Sequence, residues 1–172
     1  MNLFTTYYNS PVGLLKLQCS DEFITMVTFS DADGEAASDQ QKLLKTCAEQ
    51  LDQYFAGTLK SFDLPLNQEG TQFQVKVWEL LGKIPFGKTI SYNDFAKKYG
   101  DVKAIRAIAS ANGKNNICII VPCHRVIGSN GSLVGYSGGL WRKKWLLSHE
   151  AKYFAGVQQL DFESAFKMEN EK

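Results

Sequence analysis

The sequence predicts an α+β fold: a small N-terminal sheet-plus-helix domain, then a mainly helical domain built on a helix-turn-helix and carrying a candidate active-site cysteine. Three observations predict it. Residues 3–30 are β-rich runs separated by turn residues. Residues 71–150 carry apolar residues at helical spacing behind capping residues. Charge splits along the chain: residues 1–82 hold 5 Lys+Arg against 11 Asp+Glu, residues 83–150 hold 11 against 3, and residues 151–172 hold 3 against 4.

Taken in order, "LFTTYYNSPVGLLKLQCS" is two strands around a turn at Asn9-Ser10-Pro11 and Gly13, and "FITMVTFS" is a third. "DADGEAASD" is a polar loop. Ser38 with Gln41 three residues on reads as a capping box that starts a helix, with Leu43, Leu44, Cys47, Leu51, Tyr54 and Phe55 on its apolar side and Gly57 as its stop. Residues 61–72 are the linker. The boundaries are set at 1–66, 67–150 and 151–172, the last a tail that is helical or partly disordered.

The second domain opens with a helix in "TQFQVKVWELLGKI", stopped by Pro85. Ser91 with Asp94 caps a helix that ends at Gly100. Asp101 caps another from Val102 to Asn112. Two short helices across a glycine turn are the helix-turn-helix pattern. Ala104, Ala107 and Ala111 give the second helix a thin surface beside Arg106, which suits a narrow groove with one inserted cation. "ICIIV" reads as a buried strand running into Pro122. "GSNGSLVGYSGGL" is a glycine-rich loop, and "GLWRKKWLLSHEA" is a final helix ending at His149 and Glu150.

Composition excludes several classes. Apolar residues make up 44% and charged residues 22%, as in ordinary globular proteins. No run of about 18 uncharged apolar residues is present, so no membrane span is expected. The N-terminus has neither the basic nor the apolar segment of a signal peptide, so a cytoplasmic location is expected, or a nuclear one in a eukaryote. Four cysteines without a C-x-x-C pair, and two histidines, argue against a disulfide framework and against a metal site. The basic segment suits a polyanion such as nucleic acid.

"IVPCHRV" concentrates the chemistry. Cys123 is a nucleophile only as a thiolate, which needs a base, and the base needs an orienting group. His124 is the adjacent base. Of the acids in the basic segment, Asp94 and Asp101 are helix caps, which leaves Glu150 to orient it. His149, Trp141, Trp145 and Cys118 read as packing residues, and Lys143 and Lys144 as a solvated face.

"IVPCHRVIG", followed by "GYSGGL" and "KKWLLSHE" and preceded by "SYNDFA" and "RAIASANGKN", resembles the O6-alkylguanine-DNA alkyltransferases over residues 73–150. The resemblance implies that Cys123 accepts the alkyl group, that His124 deprotonates it through a water, and that Glu150 orients His124. It implies that Asn115 fixes the turn presenting Cys123, and that Tyr92 presses on the target phosphate and helps protonate the leaving guanine. Arg106 would fill the gap left by the flipped base, with Ala107 and Ala111 beside it in the minor groove. Ser137 and Tyr136 would line the pocket near O6, and the carbonyls of Val126 and Cys123 would meet the exocyclic amine. The implied partner is double-stranded DNA containing O6-alkylguanine, bound by a monomer that uses no cofactor, no metal and no membrane. Relatives with an N-terminal zinc site use cysteines and histidines there, and this N-terminal part has no histidine.

Two other classes fit parts of the pattern. A non-repairing helix-turn-helix lesion binder or regulator would not need Cys123. A cysteine hydrolase would need turnover and an oxyanion hole in the glycine-rich loop.

Overall fold

The computed structural model describes residues 2–32 and 41–154. It falls into two compact units. One comprises the chain up to Glu69 together with Asn116–Ile120, and the other comprises Gly70–Asn115 and the chain from Val121.

The first unit is a three-stranded antiparallel meander with one helix: β1 (Phe4–Ser10), β2 (Gly13–Cys19), β3 (Ile24–Phe29) and α1 (Lys42–Phe55). Ser10 faces Gly13 across the first turn, where Gly13 takes a φ of 108° that a side chain would resist. Leu15, Leu17 and Cys19 are buried at every second position of β2, the period of a half-buried strand. A register shift at Gln18/Cys19 breaks that alternation in β3, where Ile24 and Val27 are the buried pair. The outer edge of β3 is covered by two short segments. Ile24 bridges Leu66, and Val27 bridges Ile117, with backbone bonds of 2.8 Å from Val27 N to Asn116 O and from Cys118 N to Val27 O.

Helix α1 buries Leu44, Cys47, Leu51 and Tyr54, as its spacing predicts. Its N-cap is Gln41, whose side chain accepts from Leu43 N, rather than Ser38, which lies outside the described residues. Tyr8 ties β1 to α1 by donating to Asp52 Oδ1 at 2.6 Å.

The second unit holds α2 (Gln72–Leu81), β4 (Ile90–Ser91), α3 (Tyr92–Tyr99), α4 (Ile105–Gly113), β5 (Val126–Ile127) and α5 (Leu140–Phe154). Thr71 and Gln74 form a complete capping box on α2. Ser91 accepts from Asp94 N to cap α3, and Gly100 closes that helix in the left-handed conformation at φ 104°. Asp101 accepts from Lys103 N as expected, but it starts a 3₁₀ turn (Val102–Ala104) that leads into α4. Trp78 Nε1 donates 2.9 Å to Ala111 O and so locks α2 to α4.

Two expectations change. "ICIIV" is buried but is not a strand. Beyond the single bridge at Ile117 it turns, and Ile119 adopts φ 72°, rare for a β-branched residue. Helix α5 does not end at Glu150 but continues through Phe154, so Glu150 sits within the helix, clear of the unfavourable end of its dipole. Residues 155–172, the rest of the expected tail, lie outside the described residues.

Candidate active site

The cysteine lies on a 3₁₀ turn, Cys123–Arg125, that follows Pro122. Proline cannot donate, and the turn closes instead through Cys123 N to Val121 O at 2.8 Å and Arg125 N to Pro122 O at 3.0 Å. Asn115 holds the approach to the turn: its Nδ2 donates to Val121 O at 2.9 Å. The two-residue parallel pairing of β4 with β5 sets Ile90 against Val126 and Ser91 against Ile127. Tyr92, at the start of α3, is thereby brought next to the turn.

His124 and Glu150 meet as the sequence predicts. His124 Nε2 is 2.6 Å from Glu150 Oε2, and the side chains are 0% and 1% exposed. Arg125 completes the cluster: Nε donates to Glu150 Oε1 at 2.7 Å, Nη2 to Oε2 at 3.1 Å, and Nη1 to Ile84 O at 2.6 Å. Gly87 N adds a bond to Glu150 Oε1 at 3.2 Å. Burial by itself raises the Glu150 carboxyl pKa, but the His124 and Arg125 charges and their hydrogen bonds outweigh it, leaving the carboxyl well below the usual range. Burial pushes the His124 pKa down against the opposing pull of Glu150. The consistent state at neutral pH is a carboxylate held by Arg125 and a neutral imidazole that donates from Nε2 to Glu150. Nδ1 then carries the lone pair. It is buried and has no hydrogen-bond partner among the described residues.

Tyr92 and the cysteine turn share a partner. Asn112 Nδ2 donates to Tyr92 Oη at 3.1 Å and lies 3.4 Å from Cys123 O. Burial raises the Tyr92 phenol pKa, with Asn112 opposing it, so the phenol keeps its proton. Val126 is buried, and its carbonyl accepts from Lys143 Nζ at 2.7 Å.

Lys143 overturns its reading as a solvated residue. It is 0% exposed, and its ammonium also donates to Val134 O at 2.8 Å and Gly135 O at 3.3 Å. Burial lowers its pKa to about 8, and negative charge on Cys123, when the thiol loses its proton, opposes that fall. Lys143 thus staples the glycine-rich loop to the carbonyl of Val126. Lys144, beside it, is exposed as expected. Ser137 lies exposed on that loop, and Tyr136 is partly buried there, its carbonyl accepting from Gly139 N at 2.9 Å.

The outer face of α4 carries Arg106 and Ala107, both exposed, but Ala111 faces inward under Trp78. The other small residues of α4 that lie exposed are Ala109, Ser110 and Gly113. Sequence reasoning missed Arg125 as a partner of Glu150, Asn112 as a link to Tyr92, and Lys143 as a loop anchor. For Arg125 a signal existed in the chain, a cation beside the candidate dyad. His149 is a packing residue, stacked on Trp145 with ring centres 5.0 Å apart. All four cysteines are thiols, and among the described residues no group of three or more His, Cys, Asp or Glu side chains could hold a metal ion. No helix among the described residues is long and apolar enough to cross a membrane.

Two family models match. Residues 72–152 match the DNA binding domain of 6-O-methylguanine DNA methyltransferase, and residues 3–68 match its ribonuclease-like domain. A methylated-DNA–protein-cysteine methyltransferase of Methanosarcina acetivorans is 42% identical over 153 residues, covering 86% of this chain and 98% of that protein. The crystal structure of Mycobacterium tuberculosis O6-methylguanine methyltransferase superposes with a TM-score of 0.80 at 39% identity, covering 88% of this chain and 94% of that one. A structure of OGT from the same organism in complex with DNA also gives 0.80, at 40% identity and with 87% and 94% covered. With both units matched and a relative covered almost end to end, the cysteine turn and its buried His–Glu pair fall in a chain that belongs to the 6-O-methylguanine DNA methyltransferase family.

Proposed function

We propose that this protein repairs DNA by moving an alkyl group from O6 of guanine in duplex DNA to Sγ of Cys123, one group per protein molecule. The observation that carries the reading is the buried Cys123 turn joined to a His124–Glu150 pair in the same unit as the helix-turn-helix. Its relatives are named for transfer to a protein cysteine, and one related structure holds DNA. The lesion leaves the stack, which is cheapest for a damaged, poorly paired base. The thiol proton passes through a water to His124 Nδ1, and Glu150 holds the imidazole in the tautomer that accepts it. Sγ attacks the alkyl carbon in line, the S–C bond forms, and the O6–C bond breaks with its electron pair on guanine. Tyr92 delivers the proton that neutralises the base. The thioether is a poor leaving group, so the alkyl group stays. Arg106 and Ala107 enter the minor groove, and Arg106 occupies the space the base vacates. The protein acts as a monomer.

Cys123→Ser tests this reading. The variant is expected to lose transfer to an oligonucleotide containing O6-methylguanine while binding it as tightly as the unsubstituted protein. Retained transfer would remove Cys123 as acceptor.

A further inference from the structure

We propose that a basic pocket beside α3 is a second docking point for DNA, holding backbone phosphates outside the nucleotide under repair; this rests on the proposed action on duplex DNA. The cavity has a volume of about 710 Å³ and is lined wholly by the second unit: the end of α2, residues 82–91, α3 and Ser129. Four lysines line it, Lys83, Lys88, Lys97 and Lys98, against one carboxylate, Asp94. Asp94 neutralises little. Its distance to Lys97 Nζ is 3.7 Å, and both side chains are 62% exposed, a geometry in which ion pairs are weak.

The hydroxyl groups in the wall match the same ligand. Thr89 and Ser91 both line the cavity, and the Ser91 hydroxyl, which accepts from Asp94 N, keeps its own proton to donate. Pockets for small molecules are mostly apolar with a few polar groups, whereas ammonium groups with hydroxyl donors are the usual contacts of phosphate oxygens. Placement points to DNA rather than to a free anion. All of its lining residues fall within the span that matches a DNA binding domain, and Ser91 caps α3, the first helix of the helix-turn-helix proposed to lie on DNA. The side-chain bonds of His124 and Arg125 run to Glu150 and Ile84, so substitutions at Lys83, Lys97 and Lys98 leave those bonds in place.

The test compares Lys83→Gln/Lys97→Gln/Lys98→Gln with a control of equal charge loss from the first unit, Lys16→Gln/Lys42→Gln/Lys45→Gln. Duplex affinity is measured as a function of salt, and transfer from free O6-benzylguanine to Cys123 is measured alongside. Each phosphate contact contributes about 0.9 to the slope of log K against log salt. The pocket variant is expected to lose about 2 to 3 from that slope while keeping the free-base rate, and the control to keep both. An unchanged slope in the pocket variant, or an equal loss in the control, would overturn the pocket. Failure of the unsubstituted protein to transfer would instead overturn the proposed function, and the slope comparison would still decide the pocket.

Discussion

Glu150 is the side chain on which the cysteine turn converges. Two residues of that turn, His124 and Arg125, bond to it, and so does the Gly87 amide. Its pKa is lower folded than unfolded, so its contribution to stability is complete above the ordinary carboxylate value of about 4.3 and is lost as pH falls below it. His124 acts in the same sense. Its folded pKa lies below the unfolded value of about 6.5, so the unfolded chain binds the proton first and stability declines as pH drops through that value. Glu150→Gln keeps the shape and removes the charge. It is expected to slow thiol alkylation by about 100-fold at neutral pH, the lower end of general-base effects, and to move the rate–pH profile. It also leaves Arg125 buried with its charge uncompensated, a change that costs about 3–5 kcal/mol, so the unfolding midpoint must be followed in parallel. A folded variant with an unchanged pH profile would remove Glu150 from the relay.

At the scale of the element, the helix-turn-helix presents Arg106 and Ala107 on the exposed side of α4 while Ile108 and Ala111 face the interior. An exposed cation on a thin helix face has no packing role to lose. Arg106→Ala is therefore expected to slow repair of duplex DNA by ~10-fold or more, through the cost of holding the base out of the stack, and to leave attack on free O6-benzylguanine unchanged. Equal losses on both substrates would assign Arg106 a different role. This element was legible in the chain because its signals are local: Ser91 and Asp101 as caps, and Gly100 as the left-handed stop. "ICIIV" was not legible. A short apolar run fits a buried strand and a buried turn alike, and only the pairing of Val27 with Asn116 and Cys118, with Ile119 at φ 72°, makes it a turn. Lys143 was hidden for a similar reason. A lysine beside another lysine on a helix reads as solvated, and the three carbonyls that hold it come from positions 8 to 17 residues away. The contact of His124 with Glu150 was legible because so few acids stand in the basic segment.

Over the whole molecule, the division of charge follows the division of labour. The acidic first unit carries a sheet and a helix, and the basic second unit carries the cysteine turn, the His124–Glu150 pair and the helix-turn-helix. Such a chain needs no turnover, because the product is the protein itself. The most direct test is the intact mass of the protein after incubation with a duplex containing one O6-methylguanine. A stoichiometric gain of one methylene, mapped by digestion to Cys123, is the expected result. Binding of the lesion with no change in mass would contradict it and make the protein a lesion binder.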